Sequence, residues 1–558
     1  MNPNAESHFS TNPVIKIGRS KFNVPYTRKM TFNSSDLVPL SEPFEVLPGD
    51  TFTVDMGAAV RMTTPVFPVM DDSFLDIFYF FVPTRLLWIH WEEFNGANKS
   101  TYWDDPTEYS IPQITAPAGG WSVGSIADYF GLPIGIDNIS VSSLPFRGYA
   151  LIWNEWFRSE NVSQPCNVNT DDATVAGSND GDYVINGQLG GKPLKVTKFY
   201  DYFTSCLPKP QKGDPVNIPG TVVSGTFPVV TGSTDHVSTY LNPLRWVGDI
   251  HTGPDAYLKA TSTGTQSVIS HNAIGADQTG NIAPANLEAV IDSASTSAVS
   301  INELRQAFAV QRLLEADARG GTRYTEVLRS HFGVMSPDGR LQRPEFLGSQ
   351  RVHINVDQVL QTSSTDTTSP QGNTAAYSLT NVGSSGVFTQ SFTEHGYIFV
   401  LGCIRTNHTY QQGISRMWSR KSRYDFYWPE LANIGEQPVY NREIYAQGSN
   451  KINNDTGKPY DDEVFGYQEA YADYRYKPSQ VCGVFRSTAP QPLDSWHYGD
   501  YYTSMPYLSH DWLSETDANI YRTLAVHDEP QFLADFYFKW TVVRPMPLYS
   551  IPGLIGHF

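Results

Sequence analysis

Basic residues are scarce: 39 Lys and Arg stand against 57 Asp and Glu, and only 17% of the 558 residues are charged. A formal charge of −18 excludes a generally basic nucleic-acid binder, so any phosphate contact must come from local patches. Only four cysteines occur, Cys166, Cys206, Cys403 and Cys482, and none forms a CxxC. They read as buried free thiols made in a reducing compartment. No run approaches the roughly 20 apolar residues of a membrane span, and MNPNAESHFS has no apolar signal core. We therefore expect neither membrane insertion nor secretion. HExxH, Walker A and EF-hand patterns are missing. Gly120-Trp121-Ser122-Val123-Gly124 matches a nucleophile pattern in form, but the strand that would make its turn sharp is absent. Ser122 or Ser125 reads instead as the cap of a helix over SIADYF. Asn179-Asp180-Gly181-Asp182 offers oxygens to calcium without the rest of a calcium loop, and reads as solvated. The sequence supports no enzyme, cofactor or metal site.

Aromatic residues are plentiful at 13%, as are turn formers, with 43 Gly and 38 Pro. This composition suits many short strands. Residues 74–82, FLDIFYFFV, are apolar except for Asp76 and read as a strand covered on both faces. A similar stretch runs from Phe532 to Val543. We take both as central strands of one sheet system, with the rest inserted between them. Phe52, Val54 and Met56 alternate with polar residues, which predicts a half-buried strand. EHGYIFVLGCIR at 394–405 predicts another buried strand. Helices are expected at 85–94, at 144–160 with Trp153, Trp156 and Phe157 on a stripe, at 300–321 behind a Ser300/Glu303 capping box, and from Arg323 to a stop at Gly333.

Three segments stand apart. Residues 1–35 read as a basic arm, with Lys16, Arg19, Lys21, Arg28 and Lys29. Such an arm could meet nucleic acid, thread along a neighbour or fray. Residues 213–299 are Ser/Thr/Gly/Ala-rich and acidic, and read as disordered or as an exposed projection. Residues 544–558, RPMPLYSIPGLIGHF, should run extended over a neighbour. Between them, Arg416, Arg420, Lys421 and Arg423 interleave with Trp418, Tyr424, Tyr427 and Trp428. Cations for phosphates and rings for bases are what a sequence-tolerant single-strand site needs. An ion-paired face over core aromatics reads equally well. Tyr471, Tyr474, Arg475, Tyr476 and Lys477 are a weaker echo.

Long motifs in one order carry a resemblance: VLPGDTF (46–52), TPVFPVMDDSFLDIFYFFVPTRLLW (64–88), DYFTSCLPKPQKG (201–213), LRQAFAVQRLLEADARGGTRYTEVLRSHFGV (304–334), TYQQGISRMWSRKSRYDFYWP (409–429), VFGYQEAYADYRYKPSQVCGVFRST (464–488) and RPMPLYSIPGLIGHF (544–558). The chain resembles the major capsid proteins of gokushoviruses, small single-stranded DNA phages of the Microviridae. The resemblance implies a mainly β fold, an eight-stranded antiparallel jelly roll (β-sandwich) over 36–558 with long insertions and a few helices. It implies a T=1 icosahedral shell of 60 copies in the virion, enclosing circular single-stranded DNA and a small basic internal DNA-binding protein. It also implies assembly in the host bacterial cytoplasm, and a threefold protrusion from 213–299 that meets a host cell-surface receptor. DNA-facing candidates are Arg416, Trp418, Arg420, Lys421, Arg423, Lys16, Arg19 and Lys21. The alternative is a secreted jelly-roll protein that binds or cleaves carbohydrate, motivated by the aromatic and carboxylate content.

Overall fold

A computed structural model describes residues 18–99, 108–216, 301–363, 365 and 370–550, with backbone strands alone inside 229–289. The chain separates into two compact units, Met1–Lys212 with Glu315–Phe558, and Gly213–Leu314.

Eight strand positions build the central sandwich of the larger unit. They are β1 (Ser20–Phe32), β2 (Val38–Pro39 and Phe44–Val46), β3 (Thr51–Met62), β4 (Ser73–Pro83), β5 (Glu345–Ile354), β6 (Thr380–Ser384 and Thr389–Ser391), β7 (Gly396–Thr406) and β8 (Phe532–Arg544). One sheet has the order β1-β8-β3-β6 and the other β5-β4-β7-β2. Every neighbouring pair is antiparallel. First pairs with eighth, second with seventh, third with sixth and fourth with fifth: a long hairpin rolled up, which is a jelly-roll sandwich. Residues 74–82 and 532–543 are therefore both central, but in opposite sheets. Their inward rows meet in one core with Phe52, Val54, Tyr79, Phe81, Phe538 and Trp540.

The two sheets differ on their outer faces, and the sequence patterns follow that difference. The β4/β7 sheet is covered: Phe80, Val82, Phe399 and Leu401 pack outward against Trp88, Phe146, Tyr149 and Trp153 of the β4–β5 insertion. Both faces are dry, so these strands read as continuous apolar runs. The covering helix, α1 (Leu144–Ile152), lies so close that a side chain at Gly148 would meet the Phe399 ring at 2.6 Å. Among the described residues of this unit, nothing covers the outer face of the β1/β8/β3 sheet. Its strands alternate strictly, as in β3, where Phe52 to Met62 point inward and Thr51 to Arg61 outward.

Residues 20–32 correct the expected arm: they form a 13-residue strand paired along its whole length with β8. Phe22, Tyr26, Met30 and Phe32 supply the alternation that the lysines obscure, and Pro25 is tolerated because β1 is an edge strand. The helix expected at 85–94 is two single turns, Thr84–Leu86 and Trp91–Phe94. The stripe at 144–160 is α1 followed by a π turn, Trp153–Phe157. Further helices run over Ile301–Gly320 and Tyr324–Phe332, the latter stopped by Gly333 at φ +67°. Ser300 of the expected capping box, and residues 551–558 of the tail, lie outside the described residues. Cys166, Cys206 and Cys403 are buried, whereas Cys482 is exposed. The Gly213–Leu314 unit contains a sheet of Gln266–His271, Ala256–Thr263, Arg245–Gly248 and Ile282–Pro284, and a pair of Val229–Thr231 with Leu287–Ala289.

Candidate functional site

The cation–aromatic cluster lies in the long connection between β7 and β8. Three 3-10 turns, Arg416–Ser419, Arg423–Asp425 and Pro429–Leu431, carry it. Every residue from Lys421 to Glu430 is exposed. Trp418 is 76% and Tyr424 71% accessible, which is unusual for rings of this size. Asp425 shapes the loop by accepting hydrogen bonds from the backbone N–H groups of Ser422 (2.6 Å) and Lys421 (2.8 Å). Those bonds hold its carboxyl below the usual carboxylate range.

The bases divide into two kinds. Arg416 is half-buried and donates to Glu443, Nη2 to Oε1 at 3.0 Å. Burial works against its charge, but Glu443 outweighs that and raises its pKa above the ordinary value. Arg420 is ion-paired with Asp473 and lies 4.3 Å over the Tyr474 ring. These two guanidiniums hold the loop in place. Lys421 and Arg423 are exposed and form no ion pair among the described residues; Arg423 sits 4.7 Å over Trp428. The Tyr471/Tyr474 echo belongs to the same surface, with the Tyr427 ring 5.4 Å from Tyr471 and 6.2 Å from Tyr474. The arm candidates are elsewhere. Arg19 and Lys21 are exposed at the start of β1, with no hydrogen bond or ion pair to the cluster, and Lys16 lies outside the described residues.

Ser122 Oγ lies 3.4 Å from Asn179 Oδ1, and among the described residues it hydrogen-bonds no histidine, lysine or carboxylate. Its backbone N–H donates to Asn179 Oδ1 at 3.1 Å, while Ser125 caps the helix Ile126–Tyr129 by accepting from Asp128 N. Asp182 likewise caps Tyr183–Asn186.

Charged groups that sequence reasoning did not join meet at two further places. Arg28, Arg61, Lys192 and Lys195 gather around one groove with Asp36, whose carboxyl burial pushes up although Lys195 lies 2.7 Å away. Just beyond the end of β7, His408 is enclosed between Asp500 (Nδ1–Oδ1 3.1 Å) and Glu515 (Nε2–Oε2 3.2 Å), with Lys198 3.6 Å from Asp500. The residues around His408 come from three distant segments, at 198, 408 and 500–515, and no local pattern links them.

A family model described as "Capsid protein (F protein)" matches residues 7–554. Capsid protein VP1 of Bdellovibrio phage phiMH2K is 43% identical over 560 residues, covering 99% of this chain and 98% of that one. Capsid protein VP1 of Spiroplasma virus 4 is 42% identical over 567 residues, covering 99% and 98%. Capsid protein VP1 of Chlamydia phage 1 is 41% identical over 590 residues, covering 98% of each. The jelly roll, its two long insertions and likeness along nearly the whole length agree: this chain belongs to the capsid protein (F protein) family.

Proposed function

We propose that this chain is the major capsid subunit of a T=1 shell of 60 copies that encloses circular single-stranded DNA together with a small basic internal protein. The observation that carries this reading is apolar surface left open by a subunit whose own cores are closed. Met417, Trp418, Tyr424, Phe426, Tyr427 and Trp428 are exposed on one loop, and Met546, Leu548 and Tyr549 on the tail beyond β8. Contiguous exposed rings mark a contact surface. A closed shell from one chain needs several heterologous contacts, which loops and tails outside the sandwich supply.

Negative-stain imaging and sedimentation of the purified protein test this, with discrete shells expected. Trp418→Ala with Tyr424→Ala should raise the concentration needed for shells by about tenfold or more, because buried aromatic anchors dominate interfaces. The melting of the unassembled subunit should hardly change. A wild-type protein that stays monomeric and cleaves glycans would sink the reading in favour of a carbohydrate-active jelly roll.

The separate unit Gly213–Leu314, with its acidic and polar composition, supports a threefold protrusion that meets a host receptor. Particles lacking residues 220–295 are expected to assemble yet fail to adsorb to host cells. Normal adsorption would rule out the receptor role. Three buried free thiols suit assembly in the host cytoplasm.

A further inference from the structure

One groove, of about 920 Å3, collects more bases than the exposed loop presents. It opens on the bare outer face of the β1/β8/β3 sheet, at the Phe32 end of β1. From there it passes around the β1 edge to the segments at 122–129 and 192–195. Five bases line it, Arg28, Lys29, Arg61, Lys192 and Lys195, against three acids, Asp36, Asp128 and Asp535. That cationic excess belongs to a chain whose formal charge is −18.

Three of the bases are engaged within the fold. Lys29 pairs with Asp535 at 3.4 Å, Lys195 with Asp36 at 2.7 Å, and Arg28 donates to the Tyr129 carbonyl at 2.5 Å. Arg61 and Lys192 are exposed and form no ion pair among the described residues. Arg61 is the one base in the outward row of β3, where Gly57 and Ala59 beside it keep the floor low. The aromatic rings that line the groove, Phe32 and Tyr129, are both buried, so nothing here can stack on a base. Free cations without exposed rings fit the sequence-independent part of nucleic-acid recognition, the phosphates.

We propose that this groove binds the phosphodiester backbone of a single-stranded nucleic acid, with Arg61 and Lys192 as its phosphate contacts. The proposal rests on the reading that the shell encloses nucleic acid, and it moves the main contact away from the Arg416–Arg423 loop. Charge complementarity and an outer sheet face that none of the described residues of this unit covers argue for a flexible polyanion. An acidic protein segment is the competing occupant.

The test uses the full-length protein and a labelled single-stranded oligothymidylate, titrated over a range of salt. The wild type is expected to bind with a salt-dependent affinity. Arg61→Glu with Lys192→Glu should weaken binding by about tenfold or more, and flatten the salt slope by about 1.4, roughly 0.7 per cation on single strands. Arg61→Lys with Lys192→Arg should keep both, and Lys421→Ala with Arg423→Ala should change them less. Should charge reversal unfold the protein, Arg61→Gln with Lys192→Gln makes the same comparison, with melting curves as the control. A wild type that ignores the oligonucleotide overturns this proposal, and leaves the enclosure reading to the shell test above. A wild type that binds, with a reversal variant of equal affinity and slope, overturns the groove alone. Unchanged oligonucleotide binding with lost binding of poly-glutamate assigns the groove to an acidic partner, and overturns the proposal as well.

Discussion

Replacing His408 by leucine should destabilise the unassembled subunit by about 3–5 kcal/mol, because removing one partner leaves uncompensated buried charge. Asp500 and Glu515 would face each other across an apolar side chain. His408, Asp500 and Glu515 are all buried, so water cannot replace the imidazole. Around them Asn519 donates to Asp500 at 2.6 Å, Tyr502 at 3.0 Å, and Thr406 to Glu515 at 3.0 Å. The cluster thereby ties the end of β7 to the segments at 198 and 500–519. Burial alone would lower the His408 pKa, but Glu515 and Asp500 outweigh it and raise it from 6.5 to about 10. A pKa raised on folding contributes stability that is complete below the unfolded value, and that drains away as pH climbs from 6.5 to about 10. Asp500 acts in the opposite sense. Burial opposes its charge, yet Lys198 and His408 hold it well below the usual carboxylate range, so its contribution is lost in acid. Urea unfolding should therefore show wild-type stability falling from pH 7 upward, and His408→Leu should lack that fall below about pH 9, where the buried thiols, also raised by burial, begin to contribute in both proteins. Parallel pH profiles for the two proteins would show that His408 carries no charge in the fold.

Asp76→Leu is expected to cost a similar amount, about 3–5 kcal/mol, by a different route. Asp76 is the one acid in the apolar strand β4, and is buried on the covered face of its sheet. Its partners come from both neighbouring strands. Arg351 of β5 donates from Nε to Oδ1 at 2.6 Å and from Nη2 to Oδ2 at 3.0 Å, and Arg405 of β7 donates from Nε to Oδ2 at 3.2 Å. Both guanidiniums lie against the Phe199 ring, at 4.7 and 4.3 Å. One carboxylate thus clamps three strands. The Arg351 side chain is 53% exposed and can turn to solvent, but that of Arg405 is only 16% exposed and would be left charged beneath Phe199. Removing all three charges as Asp76→Leu, Arg351→Leu and Arg405→Leu should recover most of the loss, since apolar replacement of a buried ion cluster is often neutral. If denaturant midpoints show the triple variant no more stable than Asp76→Leu, unpaired charge is not the cause.

Much of the fold was legible because hydrophobic pattern reports how many faces of a strand are dry. FLDIFYFFV and EHGYIFVLGCIR read as continuous runs because insertions cover their sheet, and β3 alternates because its outer face is bare. Gly333 at positive φ stops its helix where a glycine should. The strand at 20–32 was hidden because its outward row carries lysines and a proline, which resemble an arm until an edge position is known. The charged groups were less legible. Arg416 and Arg420 have the composition of a phosphate site, but Glu443 and Asp473, contributed from farther along the chain, claim them. Lys421 and Arg423 keep the composition and remain open. The groove at Arg61 and Lys192 had no signature, since its lining comes from β1, β3, β8 and two loops.

The sequence by itself determined the central strands β3, β4, β7 and β8, their burial on one face or two, and membership of a capsid family, because these depend on local periodicity and on long ordered motifs. Only the tertiary structure decided which strands pair and in which sheet, and which cations are spent on internal carboxylates. It also decided where unpaired cations collect, because a charge partner is chosen by proximity in space, and the rolled hairpin brings together residues hundreds of positions apart.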